Sequence, residues 1–137
     1  MLKNKIFVAM DVENLISEIL DCANVVRKSL APGYTEKVYE NALMIELTKA
    51  GINAKQQSPI VVKYDGKVVG EFVADIFVEN CIIIELKAVQ NLNEAHQAQL
   101  VNYLTATGID DGLLINFGNE SKIQIRRKYR TYRPKNN

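Results

Sequence analysis

The chain has 137 residues and a formal net charge of +1, and 47% of its residues are hydrophobic and 24% charged. This length suits one domain of ordinary size, and the composition is typical of a globular protein rather than a disordered or fibrous one. No segment approaches the roughly 20 apolar residues that a membrane span requires, and the apolar run at residues 6–10 is too short for a signal peptide. Cys22 and Cys81 are too far apart to indicate a disulfide framework or a zinc site. We therefore expect a single domain over residues 1–137, located in the cytoplasm and without membrane association.

Two helices are predicted in the first part of the chain. Apolar residues recur at helical spacing over residues 12–26, directly behind Asp11, a residue type suited to the N-cap. A second helix is predicted to open at residue 34 or 35 and to run to about residue 50, because Gly51 is typical of the position just past a helix. Thr35 is the expected N-cap of this second helix.

A three-stranded meander and a further helix follow. The turn pair Asp65-Gly66 predicts a hairpin, and Glu79-Asn80 predicts a second tight turn. The three strands of the meander are predicted at residues 60–64, 68–78 and 81–87. A helix is predicted at residues 93–107, and two further strands at residues 112–117 and 121–130. A meander followed by a helical crossover implies an α/β fold with a mixed sheet, antiparallel at first and then parallel, with helices on its faces.

The last part of the chain is basic. Residues 122–137 hold seven Lys and Arg residues and no acid. Arg126 and Arg127, interleaved with Tyr129 and Tyr132, could meet the phosphates of a nucleic acid or stack on its bases. A solvated tail explains the same pattern, so both interpretations of the basic strand and tail, about residues 121–137, stay open.

The segment IIIELKAV, residues 82–89, joins a buried-type strand directly to charged residues. If the preceding turn is centred on Asn80, antiparallel partners have residue numbers that sum to about 160, which pairs Asp75 with Glu85. Two carboxylates that close repel each other, and a divalent cation such as Mg²⁺ or Mn²⁺ would offset the repulsion. Lys87 shares a face with Glu85, because side chains alternate along a strand, and could hold or deprotonate an attacking water.

A simpler interpretation of these residues remains. Glu85 and Lys87 could extend into solvent from the end of a strand. A slip of one residue in the register would send Asp75 to the opposite face of the sheet.

Both later helices carry polar residues where apolar ones are expected. In the second helix, Glu36 and Glu40 continue an apolar stripe, and two acids four residues apart are unfavourable unless a cation is near. An acid in the first helical turn is also favoured by the helix dipole, which offers a structural role for Glu36. In the third helix, His96, Gln99 and Tyr103 lie on one stripe, where they could contact phosphate oxygens or the lysine, although a lone histidine is more often structural.

These motifs resemble the GxxExxY proteins, a group placed in the PD-(D/E)XK nuclease superfamily. The resemblance covers about residues 12–118. The segments that carry it are GYTEKVYENAL (33–43), GEFVADI (70–76), ELKAV (85–89), EAHQAQLVNYLTATG (94–108) and LLINFG (113–118).

The resemblance implies a restriction-endonuclease-like core and a set of roles for individual residues. It implies that Asp75 and Glu85 bind the metal, that Lys87 is the lysine of the superfamily signature, and that Glu36 is an additional acid contributed by a helix.

The third helix adds a further similarity. Gln99 and Tyr103 are similar to the Gln-x-x-x-Tyr element of the RecB-like branch, which helps to order the site and the nucleic acid.

Two functions follow as expectations. The first is a nuclease that uses Mg²⁺ or Mn²⁺ to hydrolyse phosphodiester bonds in nucleic acid, with DNA as the expected substrate. The second is a catalytically inactive module that keeps the fold and binds nucleic acid or a protein partner. A homodimer stays open, since no segment indicates a dimer interface.

Overall fold

A computed structural model describes residues 11–131 of the chain. The described elements are α1 (Val12–Ser29), α2 (Glu36–Lys49), β1 (Ala54–Tyr64), β2 (Lys67–Val78), β3 (Ile82–Lys87), α3 (Glu94–Thr107), β4 (Asp111–Asn116) and β5 (Gln124–Tyr129). The predicted order of elements is confirmed. The expectations for residues 6–10 and for Tyr132 and the basic residues that follow it lie outside the described residues.

The strands form one five-stranded sheet in the order β1-β2-β3-β4-β5. β1, β2 and β3 pair antiparallel, β3 and β4 pair parallel across the helical connection α3, and β4 and β5 pair antiparallel. The predicted mixed sheet is therefore confirmed, with β5 at one edge. β1 begins at Ala54, six residues earlier than predicted. The prediction missed residues 54–59 because they lack the apolar alternation that identifies a strand.

Helices cover both faces of the sheet. α1 and α2 bury residues such as Ile19 and Leu43 against one face, to which β3 contributes Ile84. α3 packs Leu100 against the opposite face, where it meets Leu114 of β4. Burial of this apolar surface is the main source of stability. It also holds α2 and α3 on opposite faces of the sheet, and thereby positions the polar residues that these helices carry.

The helix ends are held by different means. Asp11 caps α1 by accepting the backbone N–H of Asn14 at 2.9 Å. Thr35 occupies the N-cap position of α2, as predicted, but its side chain makes no capping hydrogen bond there. Gly108 ends α3 with a φ of 74°, a left-handed conformation that glycine adopts without strain. None of these helices is both long enough and apolar enough to cross a membrane.

The loop before α2 is fixed by one tyrosine. The Tyr39 hydroxyl donates to the carbonyl oxygen of Ala31 at 2.6 Å and accepts the backbone N–H of Tyr34 at 3.2 Å. Its ring stacks on Phe117, with ring centroids 4.9 Å apart. Tyr39 thereby sets the path of the chain that leads into Glu36.

Candidate active site

Two carboxylates lie where β2 and β3 separate. The strands pair Ile76 with Ile84, in the register that the sequence predicted, and regular pairing stops there. One residue further, the Leu86 N–H donates to Asp75 Oδ2 at 2.8 Å, and the Asp75 N–H donates to Glu85 Oε2 at 2.8 Å. The side chains of the two acids therefore replace the backbone hydrogen bonds that the diverging strands no longer make.

The position of these acids makes their ionisation costly. Glu85 is only 5% exposed, and burial, together with the charge of Asp75, raises its pKa to about 8. Burial also raises the pKa of Asp75, against the opposing effect of the Leu86 N–H. Two adjacent carboxyl groups that resist ionisation, one buried and one half-buried, form a site that a cation would stabilise.

The donor set fits a hard divalent cation. Within residues 11–131, Asp75 Oδ1 and Glu85 Oε1 accept no hydrogen bond, so each acid retains one oxygen for a ligand. No group of three or more His, Cys, Asp or Glu side chains in this range is arranged to hold one metal ion. Mg²⁺ is commonly bound through one or two carboxylates and otherwise keeps water or substrate oxygens, which matches a two-acid site.

Helix α3 brings polar groups to the same place. Lys87 Nζ donates to Gln99 Oε1 at 3.3 Å, and the positive charge of Lys87 lowers the pKa of both acids. Burial raises the pKa of the Tyr103 hydroxyl, and the negative charges of Glu85 and Asp75 raise it further. The two acids, the lysine, Gln99 and Tyr103 thus share one electrostatic environment.

The two acids of α2 occupy different environments. Glu40 is only 2% exposed and accepts hydrogen bonds from Gln56 Nε2 at 2.7 Å and from Gln57 Nε2 at 3.1 Å. Glu36 is exposed in the first helical turn and lines a cavity of about 640 Å³ together with Asp75. The charges of Glu40 and Glu36 both raise the pKa of Asp75. Glu36 is therefore near the site, without joining Asp75 and Glu85 in one ligand set.

Gln56 and Gln57 are site residues that sequence reasoning missed. They lie in the part of β1 that was not predicted, and Gln57 has a left-handed backbone with a φ of 55°. A non-glycine residue in this conformation is strained, and such strain often accompanies a functional site. The only signal in the sequence was a pair of adjacent amides that breaks the strand pattern. Their partner Glu40 lies more than fifteen positions earlier in the chain, so no local pattern indicates the contact.

Of three other predicted residues, His96 and Arg127 have mainly structural surroundings, whereas Arg126 does not. His96 accepts at Nδ1 the N-cap backbone N–H of α3 at 3.2 Å and so completes a capping box. Arg127 forms ion pairs with Glu13 and with Asp111, each at 2.8 Å, which tie β5 to α1 and β4. Arg126 is exposed on the same strand and remains accessible to a ligand.

Comparisons with known proteins agree with this architecture. A family model described as PD-(D/E)XK nuclease superfamily matches residues 13–128. A solved structure titled "Crystal structure of SSO0001" superimposes with a TM-score of 0.56 at 20% sequence identity, over 72% of this chain and 52% of that one. The present chain thus corresponds to about half the length of that protein. No curated protein matches the chain. The five-stranded mixed sheet flanked by helices is a restriction-endonuclease-like fold, as the sequence predicted.

Proposed function

The chain belongs to the PD-(D/E)XK nuclease superfamily, and from this we propose that it is a metal-dependent nuclease that hydrolyses phosphodiester bonds in nucleic acid, with DNA as the expected substrate. The observation that supports the proposal is the pair of adjacent carboxylates beside Lys87, of which Glu85 is buried and Asp75 half-buried. Two neighbouring carboxyl groups that are costly to ionise, next to a lysine, suit a metal-assisted phosphate hydrolysis.

The roles of the residues follow from their contacts. Asp75 and Glu85 would hold Mg²⁺ or Mn²⁺, which when bound offsets the charge of the phosphate and makes water easier to deprotonate. Lys87 would orient the attacking water or a phosphate oxygen by donating a hydrogen bond from Nζ. Gln99 would keep that ammonium group in place through its 3.3 Å contact, and Glu36 would act from the rim of the Asp75 cavity.

Within the superfamily, we propose membership of the GxxExxY group. Gly33, Glu36 and Tyr39 have the spacing that gives this group its name. Gln99 and Tyr103 support a relation to the RecB-like branch, because both lie on the face of α3 that is turned toward the acids. We also propose that residues 1–137 act as one domain.

The test is cleavage of labelled single-stranded and double-stranded DNA and RNA in Mg²⁺, in Mn²⁺ and in EDTA. We expect metal-dependent cleavage that falls at least 100-fold in Lys87→Ala and in Asp75→Asn. Lys55→Ala is the matched control, since Lys55 is an exposed lysine of β1. Cleavage that survives unchanged in Lys87→Ala would show that another group, or a contaminating enzyme, performs the reaction.

A second candidate is a binding module without activity. It is favoured by the exposed Arg126 on β5, which remains accessible to a phosphate. This function predicts binding of nucleic acid that weakens with salt, needs no Mg²⁺ and decreases in Arg126→Gln. Arg127 is unsuitable for the same test because its ion pairs stabilise the fold.

A further inference from the structure

A second feature of the molecule is an arm formed by β1 and β2. β3 pairs only with residues 76–78 of β2, so the part of the hairpin beyond Asp75 extends past the rest of the sheet. Between this arm and α3 lies a groove with a volume of about 1060 Å³. Clefts of this size accommodate small organic groups.

The groove combines small, aromatic and basic side chains. α3 contributes Ala95, Ala98 and Ala106, whose short side chains leave the space open. The arm contributes Phe72 and Lys63. No acidic side chain is among the described residues that line the groove. The groove therefore offers apolar walls and a cation, which suits a ligand that has a flat apolar part and a negative charge.

Phe72 is the most exposed large apolar residue among those that line the groove. Its ring lies against Tyr103, with centroids 5.6 Å apart and an angle of 39° between the ring planes. Even so, its side chain is 46% exposed. An aromatic ring supported on one side and open on the other presents a surface on which another ring can stack.

The groove leads to the candidate active site. Gln99 and Tyr103 line the groove. Gln99 also accepts a hydrogen bond from Lys87, and Tyr103 is close enough to Glu85 and Asp75 for their charges to raise its pKa. A polymer that lies in the groove would therefore continue directly to the place where its backbone would be cleaved.

We propose that this groove binds an unpaired nucleic-acid strand, with a base stacked on Phe72 and the adjoining backbone directed toward Lys87. The inference rests on the proposed nuclease function and specifies its substrate as single-stranded. A paired base is stacked between its neighbours and offers only its edges, whereas an unpaired base can present its flat face to an aromatic side chain. Lys63 lies where it can attract the backbone phosphates.

The chain offers a direct probe, because it contains no tryptophan. Phe72→Trp introduces a single indole in the groove, and Tyr64→Trp introduces one at an exposed aromatic position of the same arm that does not line the groove. In EDTA, oligothymidylate and oligouridylate are titrated into each variant while tryptophan fluorescence is recorded. We expect saturable quenching in Phe72→Trp by at least one of the two oligomers, and little change in Tyr64→Trp.

A blunt-ended duplex of the same length is the substrate control. Equal quenching by the duplex, or equal quenching in both variants, would overturn the inference. Failure of both oligomers to quench Phe72→Trp would also overturn it.

Affinity provides a second measurement. Phe72→Ala is expected to weaken binding of the oligomer by about 5- to 150-fold, the usual effect of removing one stacking platform, and Tyr64→Ala by less than about 2-fold. Phe72→Leu keeps apolar packing against Tyr103 and separates loss of stacking from loss of structure. Full affinity in Phe72→Leu would contradict the stacking role.

The outcomes distinguish this inference from the function on which it rests, because binding in EDTA requires no chemistry. Lys87-dependent cleavage of single strands without quenching in Phe72→Trp would refute the groove and leave the nuclease intact. Quenching without any cleavage would support the groove and refute the proposed reaction.

Discussion

The raised pKa of Glu85 predicts how the stability of the metal-free protein depends on pH. The pKa rises from 4.5 to about 8, so the folded state holds a proton that the unfolded state releases. The stability gained from that proton is fully present below pH 4.5 and is lost as the pH rises toward 8. Asp75 shifts in the same direction and adds to the effect.

The magnitude follows from the linkage relation. One group that titrates only in the unfolded state removes at most about 1.4 kcal/mol per pH unit. Between pH 5.5 and 7.5, the free energy of unfolding should therefore fall by up to about 2.7 kcal/mol because of Glu85 alone. Above about pH 8 the contribution of this residue should be constant.

The assay is urea unfolding in EDTA at a series of pH values, carried out on the natural chain and on Glu85→Gln. The variant cannot ionise at this position, so the difference between the two proteins isolates the carboxyl group. Stability should decline more steeply with pH in the natural chain. Parallel curves from pH 5.5 to 8 would refute the reasoning, because they would mean that Glu85 ionises equally easily in both states.

Three further predictions concern the scaffold, and urea unfolding tests each of them. Gly118→Ala places a Cβ atom in steric conflict with the backbone of Ala88 and Val89 and should cost about 3 kcal/mol or prevent folding; unchanged stability would mean that this loop can move aside. Tyr39→Phe removes the hydrogen bond to Ala31 and should cost about 1 to 2 kcal/mol, whereas a loss below about 0.3 kcal/mol would show that the loop does not depend on it. Arg127→Met breaks two ion pairs and should lower the free energy of unfolding by about 1 to 2 kcal/mol. The loss should be smaller at high salt, and a loss that does not depend on salt would indicate that packing is its cause.

The sequence predicted the regular part of the fold well. The apolar periodicity of α1 and the tight turns at Asp65-Gly66 and Glu79-Asn80 are local signals, and each element that depended on them was found. The register of β2 and β3 followed from the short turn alone, because a tight hairpin leaves few alternatives.

The sequence did not predict the features that depend on distant contacts. The separation of β2 from β3 beside Asp75 has no local pattern, since it arises where side chains replace backbone hydrogen bonds. The hydrogen bond between Gln56 and Glu40 joins two different elements, and the ion pair between Arg127 and Glu13 spans more than a hundred positions. The sequence does not indicate which residue a polar side chain contacts, so neither interpretation of the basic segment, nucleic-acid contact or solvated tail, included the ion pairs of Arg127 with two acids.

The exchange of hydrogen bonds between the two acids and the neighbouring strands affects how related chains can diverge. Asp75 and Glu85 each accept a part-buried backbone N–H, so replacing either with an apolar residue would leave that group unpaired at a cost of about 1 to 3 kcal/mol. A descendant that no longer needed catalysis would therefore be expected to retain acceptors at both positions. Lys87 makes one side-chain hydrogen bond, with Gln99, among the described residues, so its replacement should cost less stability. The lysine is thus a better indicator than the acids of which chains with this fold have kept a reaction to perform.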